Sequence, residues 1–143
     1  MKDKVYIIMI NYNGYQDTIQ SIDSILINSY QNFEIILVDN ASSNNSCEEI
    51  ENYFKIKQIN YNIISKPILS EKTYKITLIK SSKNLGFSGG NNLGLKYASL
   101  NDNFKLAQLI LVNALGETVV DKKFKNPFLR ESIEKTRTVI YER

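Results

Sequence analysis

The sequence predicts an α/β protein built on a mostly parallel sheet with helices on both faces. Three observations carry this. Residues 5–10 (Val-Tyr-Ile-Ile-Met-Ile), 33–39, 74–80 and 106–112 are short, near-continuous apolar runs, the pattern of strands covered on both faces. Segments with apolar residues at helical spacing lie between them. Each run ends in a cluster of Asn, Asp, Ser, Gly or Glu, which suits a turn. Strands alternating with helices at this spacing imply βαβ units. Right-handed crossovers then put every strand C-terminus at one edge of the sheet, where open α/β sheets bind ligands.

The elements follow in order. Residues 5–10 form the first strand and stop at the polar turn 11–14 (Asn-Tyr-Asn-Gly). Ile19, Ile22, Ile25 and Leu26 then recur on one helical face, with Asp17, Gln20, Asp23 and Ser24 on the other, and the helix ends near Asn28 and Ser29. Residues 33–39 are the second strand. Ser46 and Glu49 predict a capping box that opens a helix running through Ile50, Tyr53 and Phe54 to about Lys57. Residues 58–73 read as a surface insertion holding a short strand at 60–64, broken by Lys66-Pro67. Residues 74–80 are the next strand. The stretch 84–94 holds four of the six glycines and leads into a helix over 90–100. Residues 106–112 are the fourth long apolar strand, followed by the loop 113–118, and a last helix is expected over 128–137.

Composition narrows the chemistry. At 143 residues the chain is expected to be one domain, 1–143, with 43% hydrophobic and 23% charged residues, ordinary for a globular protein. The net charge of +3 is small and the lysines are scattered, so nucleic acid is not an expected partner. A single cysteine, Cys47, excludes an internal disulfide and fits a reducing compartment. With no histidine, His-based triads, His metal sites and His general bases are excluded. Acid–base or metal chemistry must then use carboxylates, which favours Mg²⁺ or Mn²⁺. The apolar start at residues 5–10 ends too early for a signal peptide, and nothing approaches the roughly 20 apolar residues of a membrane span. A soluble, cytoplasmic protein is expected.

Candidate functional residues sit in the loops of the ligand edge. The glycine-rich stretch 84–94 lets backbone N–H groups approach an anion at a helix N-terminus; the alternative is a tight strand–helix connection without a ligand. It lacks the spacing of a dinucleotide fingerprint and the Gly-Lys-Ser/Thr of a P-loop. Asp39, at the tip of a buried strand, can accept hydrogen bonds from a base or ribose, or can close an Asx turn with Asn40 or Ser42. Glu117 is a candidate metal ligand or a solvated loop residue, and Asp121 an ordinary surface acid. Cys47, in the first turn of a helix, is placed where a thiol pKa can fall. The tyrosines read as half-buried packing residues.

Three motifs in order, 10–14 (Ile-Asn-Tyr-Asn-Gly), 33–42 (Phe-Glu-Ile-Ile-Leu-Val-Asp-Asn-Ala-Ser) and 84–94 (Asn-Leu-Gly-Phe-Ser-Gly-Gly-Asn-Asn-Leu-Gly), resemble the N-terminal half of family 2 glycosyltransferases. The similarity is greatest to the rhamnosyltransferase-like branch that builds bacterial surface polysaccharides, and it covers about residues 4–121. The resemblance implies a GT-A, Rossmann-like sheet, incomplete relative to the full family domain. It implies that Asn11, Tyr12, Asn13, Asp39 and Asn40 hold the nucleotide of a UDP- or dTDP-type sugar donor. It also implies that Gly86, Gly89, Gly90 and Asn91 lie beside the diphosphate or sugar. A divalent cation, Mg²⁺ or Mn²⁺, is implied with Glu117 as its ligand. The family's Asn-x-Asp-Thr-Val-Val segment is here the longer Asn-Ala-Leu-Gly-Glu-Thr-Val-Val of 113–120, with Glu117 where aspartate is expected. Family members carry the acceptor site and general base in a second half that has no counterpart within these residues, so no catalytic residue is named. Two readings follow: a glycosyltransferase acting on a saccharide or lipid-linked acceptor, or a truncated, non-catalytic GT-A half that binds nucleotide-sugar or serves assembly. A small α/β nucleotide-binding regulator is a third. Self-association through an exposed sheet edge and peripheral membrane association are further expectations.

Overall fold

A computed structural model describes residues 4–101 and 108–112. The elements run β1 (Val5–Asn11), α1 (Tyr15–Leu26), β2 (Phe33–Asp39), α2 (Ser46–Ile56), β3 (Tyr61–Ile64), β4 (Ile76–Lys80), α3 (Gly86–Asn101) and β5 (Gln108–Val112). The strands form one five-stranded sheet in the order β3-β4-β2-β1-β5, and every pairing is parallel. The α/β class, the parallel sheet and the helices on both faces are as the sequence predicts. The expected helix at 128–137 lies outside the described residues.

Side-chain alternation sorts the core into two layers. Val5, Ile7 and Met9 of β1, Phe33, Ile35 and Leu37 of β2, and Ile76 and Leu78 of β4 pack against Ile22 of α1 and Ile50, Tyr53 and Phe54 of α2. The intervening residues Tyr6, Ile8, Ile10, Ile36, Val38 and Ile79 pack against Tyr97 and Ala98 of α3. Both faces are therefore covered, which is why the strands read as continuous apolar runs rather than as alternation. Glu34 interrupts that run on the α3 face. It is buried, and Lys4 Nζ reaches its Oε2 at 3.0 Å while Thr77 Oγ1 and Tyr97 OH donate to Oε1 at 3.0 and 3.4 Å.

Three local expectations change. The helix expected from Gly90 begins at Gly86, four residues earlier, so most of the glycine-rich stretch is helical rather than looped. The glycines serve close packing there. A Cβ on Gly94 would stand 2.6 Å from Ile8 Cγ2, and one on Gly90 would stand 3.0 Å from Ile10 Cδ1, so α3 lies against β1 at a distance only glycine allows. The capping box at Ser46 and Glu49 does not form. Asn45 is the N-cap, and Asn44 Oδ1 takes both the N–H of Ser46 at 3.0 Å and its hydroxyl at 2.6 Å, which draws Ser46 into the first turn. Within the supposed surface insertion, β3 forms the sheet edge, pairs with β4 and is half-buried, because Tyr61 and Ile63 extend one apolar layer and Ile64 the other.

Candidate functional site

The C-termini of β1, β2 and β4 share one edge of the sheet, and their loops are tied together by side-chain amides. Asn11 and Asp39 are register partners at the ends of β1 and β2. Asn11 Nδ2 donates to Asp39 Oδ1 at 2.7 Å and to Ser42 Oγ at 3.1 Å, and Asn11 Oδ1 accepts the Thr18 hydroxyl of α1 at 2.8 Å. Asp39 Oδ1 also takes the Ser42 hydroxyl at 2.6 Å, and Oδ2 takes the Ser42 N–H at 3.0 Å. The Asx turn with Ser42 is thus present. It bends the chain so sharply that Ala41 sits at φ 62°, a left-handed conformation rare for alanine. With Asp39 only 3% exposed, its carboxylate acts first as the organiser of the loops.

Asn13 performs the same joining role further out. Its Oδ1 accepts the N–H groups of Ser43 and Asn44 at 2.8 and 3.3 Å, its own N–H donates to Ser42 Oγ at 2.9 Å, and its backbone takes φ 55°. Asn40 faces the other way, toward α3. Its Oδ1 accepts the Leu85 N–H at 2.9 Å, and its Nδ2 donates to Asn84 Oδ1 at 3.1 Å and to the Gly86 carbonyl at 3.0 Å. Asn84 Oδ1 also accepts the Gly86 N–H at 2.8 Å. Adjacent residues of one strand end, Asp39 and Asn40, therefore fix the β1 loop on one side and the start of α3 on the other. Gly86 sits at φ 72°, the point where the chain turns into the helix and where a side chain would be strained.

Between these loops lies a cavity of about 230 Å³ lined by Ile10, Tyr12, Asn40, Asn84, Gly86 and Phe87. Tyr12 and Phe87 are 48% and 39% exposed and form its aromatic walls. Opening beside it is the N-terminus of α3, which carries a partial positive charge. An apolar, aromatic pocket next to a helix N-terminus is a shape that suits a flat ring and a phosphate chain together.

Of the residues the sequence singles out, Tyr12, Asn40 and Gly86 line the cavity. Asn11, Asn13 and Asp39 shape the loop behind it. Gly89 and Gly90 do not reach it. A Cβ on Gly89 would meet Leu85 Cβ at 2.5 Å, and Gly90 rests on Ile10. Asn91 is buried in α3, and among the described residues neither its Oδ1 nor its Nδ2 has a hydrogen-bond partner. Glu117 lies outside the described residues. Among the described residues no group of three or more His, Cys, Asp or Glu side chains is arranged to hold a metal ion. Sequence reasoning gave Ser42 only as a turn partner of Asp39, and it singled out neither Phe87 nor Asn84 within the 84–94 motif. Phe87 carries a readable signal, an aromatic side chain in the first turn of a helix at the ligand edge.

Cys47 corrects an expectation. Burial, reinforced by the Asp39 carboxylate beside it, pushes its thiol up to about 11, against the fall its place in a first helical turn suggested. It is not an activated nucleophile. No helix among the described residues is long and apolar enough to cross a membrane.

Comparison with known proteins agrees with this architecture. The model of the family "Glycosyl transferase family 2" matches residues 6–101. No curated protein matches the chain. Among solved structures, the mannosyltransferase PcManGT from Pyrobaculum calidifontis, in complex with GDP-Man and Mn²⁺, superposes with a TM-score of 0.60 at 16% identity, covering 80% of this chain and 28% of that one. At that identity the likeness is one of fold, a GT-A-like sheet of which this chain spans 28% of the neighbour's length. The family match takes in all three motif loops and everything that lines the cavity, and the chain belongs to glycosyl transferase family 2.

Proposed function

We propose that the chain binds a nucleotide-sugar donor of UDP or dTDP type at this edge and takes part in transferring the sugar to a saccharide or lipid-linked acceptor in surface polysaccharide synthesis. One observation carries the reading: an aromatic cavity and a helix N-terminus are held side by side by the Asn11–Asp39–Ser42 and Asn40–Asn84–Gly86 hydrogen bonds. The base lies between Tyr12 and Phe87, and the diphosphate faces the first turn of α3. Asp39 and Asn40 act by positioning these walls. In transfer, the acceptor oxygen bonds to the sugar C1 as the bond from C1 to the diphosphate oxygen breaks, and the leaving diphosphate keeps the electron pair. The base that takes the acceptor proton is unassigned among the described residues.

A divalent cation belongs to this proposal through Glu117 alone. Among the described residues the carboxylates do not fit one, since Asp39 is occupied by Asn11 and Ser42.

Calorimetry with UDP, dTDP and GDP, with and without Mn²⁺, tests the reading. UDP or dTDP is expected to bind, and Asp39→Ala to weaken binding roughly tenfold or more by freeing both loops, the effect of losing about 1.4 kcal/mol. Absence of nucleoside diphosphate binding in every condition would overturn it. Sugar turnover by the chain itself separates a transferase from the non-catalytic binding half.

A further inference from the structure

The end of the sheet opposite the cavity gathers several turns. Because the described strands are all parallel, α1, α2 and α3 finish at that end, and β2, β3 and β4 start there. Hydrogen bonds hold the turns together as one surface. Lys75 Nζ donates to the Gln31 carbonyl at 2.9 Å, and Asn60 Nδ2 to the Thr73 carbonyl at 3.1 Å. Asn101, at the end of α3, accepts the Ser70 N–H at 2.6 Å and donates to the Ile68 carbonyl at 2.9 Å. The exposed aliphatic side chains of the described residues all belong to these turns and helix ends: Ile27, Ile56, Ile68, Leu69 and Leu100. Exposed aliphatics scattered singly need no explanation, but a collection at one end does. Ile27, Ile56 and Leu69 are 86%, 79% and 71% exposed, so each projects with little packed around it. The same turns carry Lys55, Lys57, Lys72 and Lys75, while Glu71 is the acid among residues 27–32, 55–60 and 68–75. Lys55 pairs with Glu51 one turn back at 3.4 Å, and Lys75 lies over the Phe33 ring. Lys57 and Lys72 are exposed and close in sequence to the projecting Ile56 and Leu69.

We infer that this end of the sheet seats the protein on an anionic lipid bilayer. The projecting aliphatic side chains enter the boundary between headgroups and acyl chains, and the lysines lie at the level of the lipid phosphates. Apolar burial and attraction to anionic headgroups act together at such a surface, and neither alone holds a protein firmly. A folded protein partner fits less well. It needs a patch packed to interior density, which side chains projecting from separate turns do not form, whereas a fluid bilayer closes around each of them. The inference is independent of the nucleotide reading, and it gives the peripheral association expected from the sequence a surface and an orientation. The seven residues of β1 separate the two ends of the sheet by about 20 Å, so the cavity opens away from the bilayer and toward water.

The chain has no tryptophan, so a single introduced one reports its own surroundings. Leu69→Trp and Ile27→Trp probe the proposed surface, and Lys83→Trp, exposed beside the ligand edge, is the reference. Each is titrated with vesicles of phosphatidylglycerol and, separately, of phosphatidylcholine. The emission of Leu69→Trp and Ile27→Trp is expected to shift to the blue with phosphatidylglycerol, less with phosphatidylcholine, and to move back as salt is raised. Lys83→Trp is expected to stay unchanged. Vesicle sedimentation without introduced tryptophan completes the test. Replacing Ile27, Ile56 and Leu69 together by Gln is expected to weaken binding to phosphatidylglycerol roughly tenfold or more. Replacing Lys57 and Lys72 by Gln is expected to weaken it by about tenfold. Should the triple variant fail to fold, the tryptophan variants decide. No blue shift with vesicles, a larger shift at Lys83→Trp, or an equal, salt-independent response to both lipids overturns the inference. So does a blue shift that grows with protein concentration in the absence of vesicles, which assigns the surface to a second copy of the chain.

Discussion

Asp39 shows how one side chain can answer two questions at the residue scale. The sequence poses it as either a ligand contact or the hinge of an Asx turn. The fold uses it as the hinge, with Asn11 and Ser42 on Oδ1 and the Ser42 N–H on Oδ2. These are buried, partly charged hydrogen bonds, so their loss is costly. Asn11→Ala and Asp39→Ala are each expected to destabilise the fold by about 1–3 kcal/mol. The double variant is expected to cost less than the sum, because the two changes remove the same bond. Denaturant unfolding of the four proteins in the cycle measures this. Cys47 reports on the same carboxylate. Its thiol, raised to about 11 by burial and then by Asp39, is expected to react with iodoacetamide far more slowly than a free cysteine at pH 8, with Asp39→Asn speeding the reaction. The sign for stability follows. A thiol that ionises later in the folded than in the unfolded state contributes stability below its ordinary value of 9.0, and that contribution is lost as pH rises from there toward 11. What the sequence conveyed at this scale was residue type at the right edge. Which of Asp39, Asn40 and Asn13 point at a ligand and which at one another depends on a turn at Ala41 that no local pattern announces.

The elements themselves were largely legible. Strands covered on both faces print as unbroken apolar runs, and β1 and β2 were read to within a residue or so. The glycine-rich stretch was misread for a physical reason. Glycine is a poor helix former, so four glycines in eleven residues signal a loop. Tertiary packing overrides that propensity, because α3 must approach Ile8 and Ile10 closely. The override makes a prediction whose sign is diagnostic. Gly→Ala inside a helix ordinarily stabilises by about 1 kcal/mol. Gly94→Ala is expected to destabilise by about 1–3 kcal/mol instead, as the new methyl drives against Ile8. A rise in melting temperature for Gly94→Ala would show that the helix does not lie where described. The short edge strand β3 was found as a strand but placed wrongly as an insertion, since four half-buried residues carry too little periodicity to reveal a partner 15 positions along, as Tyr61 pairs with Ile76.

At the scale of the whole molecule, the two ends of the sheet do different work. The C-terminal edge gathers amides, glycine and exposed aromatics around a cavity. On the α3 face, away from the cavity lining, Glu34, Lys4, Thr77 and Tyr97 close a polar cluster that pins β2 to β4 and α3. Lys4→Met is therefore expected to lower stability by about 1–2 kcal/mol, a discounted value because the lysine is partly exposed, while leaving nucleotide affinity unchanged. The family was readable from three motifs because their order along the chain reproduces their meeting at one edge. The cavity was not, because it needs Phe87 from a helix and Tyr12 from a loop 75 positions apart to face a common space. The central claim is that this space takes the nucleotide. The most direct test is a titration of ¹⁵N-labelled protein with UDP or dTDP, followed by amide chemical shifts. Saturable shifts are expected to concentrate at Tyr12, Asn40 and 84–88. Shifts that are absent, or that cluster around Glu34 and Thr77 instead, would contradict it.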